Sequence, residues 1–154
     1  TTITHIYNKE FLNHIQQPIT IGGKTMTPVV LRDTYEYRDE SNIQSNCVKT
    51  YIEHRDTCII SLRDDKDNRI TNEFIPKGKN KIMSNVQSRT RFNQIVSEDL
   101  QPFVNLLNLK VKEASKEGVY KKNQVIKECK FTGKLESVKK RGRYNHRFQD
   151  DLPF

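Results

Sequence analysis

Three stretches of alternating, β-rich sequence, residues 57–63, 69–75 and 81–89, follow one another across two short polar turns, and they constrain the fold more than anything else in the chain. Residues 64–68 supply Asp and Asn for the first turn, Pro76 closes the second stretch, and Lys77, Gly78, Lys79 and Asn80 form the second turn. Sequential strands with connections this short pair as an antiparallel meander, and a meander must cover its apolar face with something. Leu100, Phe103, Val104, Leu107 and Val111 provide the cover, an apolar stripe at helical spacing. Pro102 suits a first-turn position, so that helix is expected to begin near Gln101.

The remaining elements follow from the same periodicities. Residues 2–7 alternate as a short strand, and Phe11, Leu12 and Ile15 share a helical face that ends at Pro18. Ile19 to Ile21 and residues 25–31 flank Gly22-Gly23 as a hairpin. Ile43, Cys47, Val48, Tyr51 and Ile52 fit one face of a helix over 43–52. Residues 120–131 read as one more strand, and from Leu135 onward apolar side chains are too sparse to offset ordering entropy, so disorder is expected. The fold class is α+β: a small antiparallel sheet of three to five strands packed by helices, with a basic, disordered C-terminal tail. Three regions result, an α+β globular domain over 1–115, a basic extension over 116–148 and an acidic, aromatic tip over 149–154.

Charge divides along the same boundaries. Residues 1–115 hold 16 Lys and Arg against 14 Asp and Glu, whereas residues 116–154 hold 11 against 5, so the last quarter carries most of the net +8. A cationic block so localised is an electrostatic footprint for nucleic-acid phosphates, although such blocks are also common on plain solvated surface. No run approaches the roughly 18 apolar residues of a membrane span, and no basic-then-apolar leader opens the chain, which points to the bacterial cytoplasm without a membrane partner. Cys47, Cys58 and Cys129 lack paired spacing, and His5, His14, His54 and His146 lack ligand spacing. Reduced thiols, no metal and no cofactor are expected. The chain has no GxSxG, Walker A or HExxH motif, so an enzyme is not the leading expectation.

Strand alternation puts Arg63 on a face with Ser61, Glu73 with Thr71, and Asn85, Gln87 and Arg89 together. In register, Arg63, Glu73, Gln87 and Arg89 converge, either as a wet sheet face laced with Arg–Glu pairs or as a site suited to phosphate or carboxylate. Cys47 on the expected helix reads as a small core hydrophobe. As a nucleophile it would need a base, and His54 lies about two turns away, over about 10 Å.

Asn46-Cys47-Val48 with Tyr51, the Ser61-Leu62-Arg63 strand, Thr71-Asn72-Glu73, and Gln87-Ser88-Arg89 before Asn93 together resemble the PcfJ-like proteins of conjugative plasmids and phages. That family's pattern is His-Cys-Val, Tyr, Ser-Leu-Arg, Thr-x-Glu and Gln-x-Arg before an Asn. The likeness covers residues 27–110, with Asn46 where the family usually has His. It implies a mobile-element setting more than a reaction, and it makes Cys47, Arg63, Glu73, Gln87 and Arg89 an alternative set for enzymatic or nucleic-acid-processing work.

The tip Asp150-Asp151-Leu152-Pro153-Phe154 resembles the acidic tip of bacterial single-stranded-DNA-binding proteins, which docks replication and repair enzymes. The resemblance implies that Phe154 enters an apolar pocket on a partner while the aspartates meet a basic rim. Gln149, Leu152 and Phe154 also fit the Gln-x-x-Leu-x-Phe pattern of sliding-clamp peptides. Ahead of the tip, Lys139, Lys140, Arg141, Arg143 and Arg147 interleave with Tyr144 and Phe148, a combination that pairs cations with phosphates and stacks bases on rings. With Arg63, Arg89 and Arg91 of the domain these form the expected nucleic-acid contacts. The leading expectation is therefore a non-enzymatic accessory protein of phage or plasmid replication that binds single-stranded DNA or RNA and recruits a replication protein through its tip.

Overall fold

The computed structural model describes residues 1–120, 122–128, 135–137 and 153–154. In chain order the elements are β1 (Thr2–Tyr7), α1 (Lys9–Ile15), β2 (Ile19–Ile21), β3 (Lys24–Val30), α2 (Thr34–Gln44), β4 (Cys58–Arg63), β5 (Arg69–Lys77), β6 (Ile82–Arg89), α3 (Gln101–Lys116), β7 (Lys122–Glu128) and β8 (Leu135–Ser137). Short 3-10 helices occupy Val48–Glu53 and Arg91–Asn93. The fold is α+β, with a five-stranded antiparallel sheet in the order β2-β3-β4-β5-β6 and a three-stranded one in the order β1-β7-β8.

The meander over β4, β5 and β6 forms as its sequence requires, and so do the Gly22-Gly23 hairpin, α1 and α3. Gly22 and Gly23 both take positive φ, the conformation a tight two-residue hairpin needs. Cys58, Ile60, Leu62, Ile70 and Phe74 pack against Phe11 and Ile15 of α1 and Phe103, Leu107 and Val111 of α3. The opposite face is not wet. Ile59 joins a second apolar cluster with Leu31, Tyr37, Val48, Tyr51 and Ile52, and Ser61, Thr71 and Glu73 are fully buried there. The five-stranded sheet is thus the middle of three layers, with α1 and α3 on one side and α2 with the Val48–Glu53 turn on the other.

The expected helix over 43–52 does not form. Ser45 adopts left-handed backbone (φ 52°) at the end of α2, and the chain resumes as the 3-10 turn at Val48. Cys47, expected as a core thiol, is consequently exposed. Helix α2 lies just upstream, where periodicity gave no sign of it. Its buried stripe is Thr34, Tyr37, Glu40, Ser41 and Gln44, mostly polar, so a search for apolar spacing passes over it. The signal that could have found it is the cap: Asp33 Oδ1 accepts from Glu36 N at 2.9 Å, and Glu36 Oε2 accepts from Arg32 N at 2.8 Å.

Within the stretch expected to be disordered, Leu135–Ser137 pairs with β7 and Phe154 is buried in the second apolar cluster. The other residues of the extension and tip lie outside the described set. No helix among the described residues is long and apolar enough to cross a membrane.

Candidate functional site

The face of the sheet under α2 carries two polar clusters, and the strand register determines which side chains enter each. Glu73 stands opposite Ile59 on β4 and Gln87 on β6, while Thr71 stands opposite Ser61 and Arg89. Glu73 and Gln87 do meet, Gln87 Nε2 donating to Glu73 Oε1 at 2.8 Å. Asn85 does not join them. The register shifts between Glu73 and Phe74, so Phe74 rather than Glu73's neighbour on the same face opposes Asn85, whose amide donates to Ser88 and to Asn108 of α3.

Arg63 turns away from Glu73. Its Nη2 reaches Glu40 Oε1 at 3.3 Å and its Nε reaches Ser61 Oγ at 3.2 Å. Glu40, on α2 and fully buried, is the hub of the first cluster: Oε1 accepts from Arg69 Nη1 at 2.8 Å, and Oε2 accepts from Thr71 Oγ1 at 2.7 Å. Gln44, one helical turn on, donates to the Arg69 carbonyl and to Thr71 Oγ1. Arg69 adds Asp67 at 2.8 and 3.1 Å and Asp39 at 3.3 Å. Burial works against the Arg69 charge, but hydrogen bonds to Asp67 and Glu40 outweigh it and hold the guanidinium above its ordinary range. This cluster ties α2 to β4 and β5, and it consumes the Arg63 cation that the sequence offered to phosphate.

The second cluster lies between β5, β6 and the Val48–Glu53 turn. Glu73 is fully buried and Gln87 nearly so; Gln87 Nε2 also lies 3.5 Å from the Tyr51 hydroxyl. Burial first, and the Glu73 carboxylate second, push the Tyr51 phenol up, so it stays protonated at neutral pH. The Tyr51 ring stands 5.2 Å from the His54 ring and 5.4 Å from the ring of Phe154. Phe154 is only 3% exposed, and its main-chain oxygen accepts from Asn93 Nδ2 at 2.5 Å. Gln87 Oε1, Asn93 Oδ1, Arg89 Nε and Asn46 Nδ2 are buried without a hydrogen-bond partner among the described residues. A carboxylate, two amides and a neutral phenol at the border of the apolar cluster suit hydrogen-bonded recognition of a neutral planar or peptide group. Among the described residues no group of three or more His, Cys, Asp or Glu is placed to hold a metal ion.

At the edge of this region Arg91 is exposed, its guanidinium 4.9 Å from the centre of the Phe92 ring, and Phe92 is itself 61% exposed. Phe92 and Asn93 both take left-handed backbone (φ 60° and 57°), which turns consecutive side chains in different directions. A cleft of about 820 Å³ nearby is lined by charges of both signs, among them the Lys24–Asp64 and Arg69–Asp67 pairs. Pairing of this kind leaves it little net field for an anionic strand.

Of the sequence-expected contacts, Arg63, Arg89 and Arg91 fall in three different settings: paired with Glu40, half-buried with its Nε enclosed, and exposed. Lys139, Lys140, Arg141, Arg143, Tyr144, Arg147 and Phe148, with Asp150, Asp151 and Leu152 of the tip, lie outside the described residues. Pro153 is exposed and Phe154 is buried in the chain's own interior rather than held out for a partner. Sequence reasoning missed Glu40, Gln44 and Arg69, where the bonds that Glu40 and Gln44 make to Arg69 span 29 and 25 positions. Comparison with protein-family models, with curated proteins and with solved structures returns no match.

Proposed function

We propose that the protein is a single-stranded nucleic-acid-binding accessory protein of a phage or plasmid. In this reading the basic segment from Lys139 to Phe148 and the Arg91–Phe92 pair contact the strand, and the tip from Asp150 to Phe154 recruits a replication or repair protein. The observation that carries it is the charge asymmetry, 11 cations against 5 anions after residue 115, beside an exposed aromatic already capped by a guanidinium. Backbone phosphates reward the first feature and unstacked bases the second.

Fluorescence anisotropy with a labelled single-stranded oligonucleotide tests it. Neutralising about five phosphates gives a slope near −3.5 in log K against log salt, so affinity falls about 100-fold between 50 and 200 mM salt. Phe92→Ala should weaken binding about tenfold at fixed salt, the loss of one stacked base. Binding that is absent at low salt, or that ignores salt, overturns the reading.

A second reading is favoured by the buried Glu73–Gln87–Tyr51 set, which resembles a ligand site more than a packing device because Gln87 Oε1 is left without a partner among the described residues. There Glu73, Gln87 and Arg89 of the PcfJ-like set perform nucleic-acid processing, with Cys47 exposed and Arg63 committed to Glu40. Glu73→Gln discriminates: it leaves strand binding unchanged in the first reading and abolishes turnover of the strand in the second.

A further inference from the structure

We infer that the place where Phe154 is buried is a recognition site for a peptide segment ending in Phe, that its resident ligand is the chain's own Phe154, and that an outside partner and this site compete for the same ring. The ring enters as an anchor rather than as part of an element: Phe154 is 3% exposed whereas Pro153 beside it is exposed. The ring belongs to the apolar cluster that includes Ile3, Val48, Ile52 and Val125, stands edge-on to Tyr51, and its main-chain oxygen accepts a hydrogen bond from Asn93, sixty-one positions away. Ring capture plus a bond to the adjoining main-chain oxygen is the minimum by which a pocket reads a peptide.

The walls of the site are tied together by bonds that do not involve Phe154: His5 Nε2 lies 2.6 Å from the Ile52 carbonyl and Ile3 N donates to Thr34 Oγ1 at 2.8 Å, joining β1 to the Val48–Glu53 turn and to α2, while Gln87 donates to Glu73, joining β6 to β5. Gln87, nine-tenths buried, and Asn93 keep acceptor oxygens with no partner among the described residues, which is what a site for peptide N–H groups presents.

A tethered ligand acts at an effective concentration of order millimolar, so a tip that binds in trans at about 10 μM is seated about 99% of the time. A partner then meets a ligand whose apparent affinity is lowered by that closed fraction. The proposal rests on the function proposed above only for the identity of the partner; the seat itself is tested without nucleic acid.

A fluorescent peptide of residues 149–154 is titrated onto the full chain and onto full-length Phe154→Ala. The expected result is saturable binding to Phe154→Ala and binding about 100-fold weaker to the unaltered chain. A peptide with Ala in place of its Phe should not bind, and Asn93→Ala in the Phe154→Ala chain should weaken binding. Equal affinity for both chains, or no binding to a Phe154→Ala chain that keeps its circular-dichroism spectrum, overturns the proposal. Should Phe154→Ala fail to fold, Phe154→Trp gives a lone indole, since the sequence has no Trp. Its emission should be shielded from iodide and become exposed on adding millimolar peptide; emission that does not respond marks a permanent core residue and refutes exchange. Sedimentation must remain monomeric, because a dimer that dissociates on Phe154→Ala would make the occupant a second copy's tip and overturn the intramolecular assignment.

Discussion

Glu40→Gln removes one negative charge from the centre of the α2–sheet interface while keeping the volume and an acceptor for Thr71 Oγ1. The buried carboxylate receives Arg69 at 2.8 Å, Arg63 at 3.3 Å and Thr71 at 2.7 Å. Breaking a buried pair from one side costs about 3–5 kcal/mol where the survivor has no other partner. Arg69 retains Asp67 and Asp39, but their side chains are 53% and 57% exposed and screened by water, so they offset only part of the loss. A cost of about 2–3 kcal/mol is expected, comparable to one hydrogen bond to a charged group plus part of the orphaned cation. With a urea dependence of about 1–3 kcal/mol per molar, the equilibrium midpoint should fall by roughly 1–2 M, with an unchanged slope. Lys24→Ala, which removes a half-exposed lysine from an Asp64 carboxylate that keeps its bonds from Lys66 and Asn68, serves as the control and should cost no more than about 1 kcal/mol. Glu40→Met combined with Arg69→Met should cost less than the sum of the single changes, because neither orphan remains. A Glu40→Gln midpoint indistinguishable from that of Lys24→Ala would refute the view that this carboxylate organises the interface.

Asp67 is held low by the hydrogen bond from Arg69, and Asp64 is held low because bonds from Asn68, Lys66 and Lys24 outweigh its burial. Both contribute stability that is present above the unfolded carboxyl pKa of about 3.9 and is lost as pH falls through the lower folded values, so urea midpoints should decline below about pH 4. Burial pushes the Tyr7, Tyr37 and Tyr120 phenols well up. The unfolded chain ionises them from about pH 10 while the folded one does not, so stability should drop above that pH and absorbance at 295 nm should rise together with loss of secondary structure. In a Cys129→Ser background, Cys47 should react with Ellman's reagent in the native protein and Cys58 only on unfolding, since the first thiol is exposed and the second buried. Leu107→Ala, at the fully buried centre of α3, should cost about 2–5 kcal/mol by thermal or urea melting.

What could be read beforehand was whatever the chain writes as apolar periodicity. The meander, the hairpin at Gly22-Gly23, and α1 and α3 all carry that signature, and Pro102 marks the first turn of α3. The layer holding the site does not. α2 docks through Glu40 and Gln44 onto Thr71 and Arg69 while Ser41 accepts from Lys49 N in the following turn, and polar docking has no spacing rule because the sheet partners of Glu40 and Gln44 lie 25 or more positions away. The false helix over 43–52 arose from counting Ile43, Cys47 and Val48 as one stripe, when Ser45 in left-handed backbone separates them. Glu73 and Gln87 were paired correctly because two alternating strands with a short turn leave few registers. Arg63 was misassigned to them because its partner Glu40 lies in an element that periodicity could not detect.

Strand β6 contains one residue, Val86, that faces nothing on β5: Gln87 is opposite Glu73 and Asn85 is opposite Phe74. That surplus switches the strand's allegiance midway, giving Gln87 and Arg89 to the layer with α2 and Asn85 to the layer with α3. A chain shortened by Val86 alone would keep its composition and charge yet point an amide and a guanidinium into the oily side of the slab. Single-residue gain or loss at this one place is therefore the change that the architecture can least absorb, far less than longer insertions in the turn at Gly78.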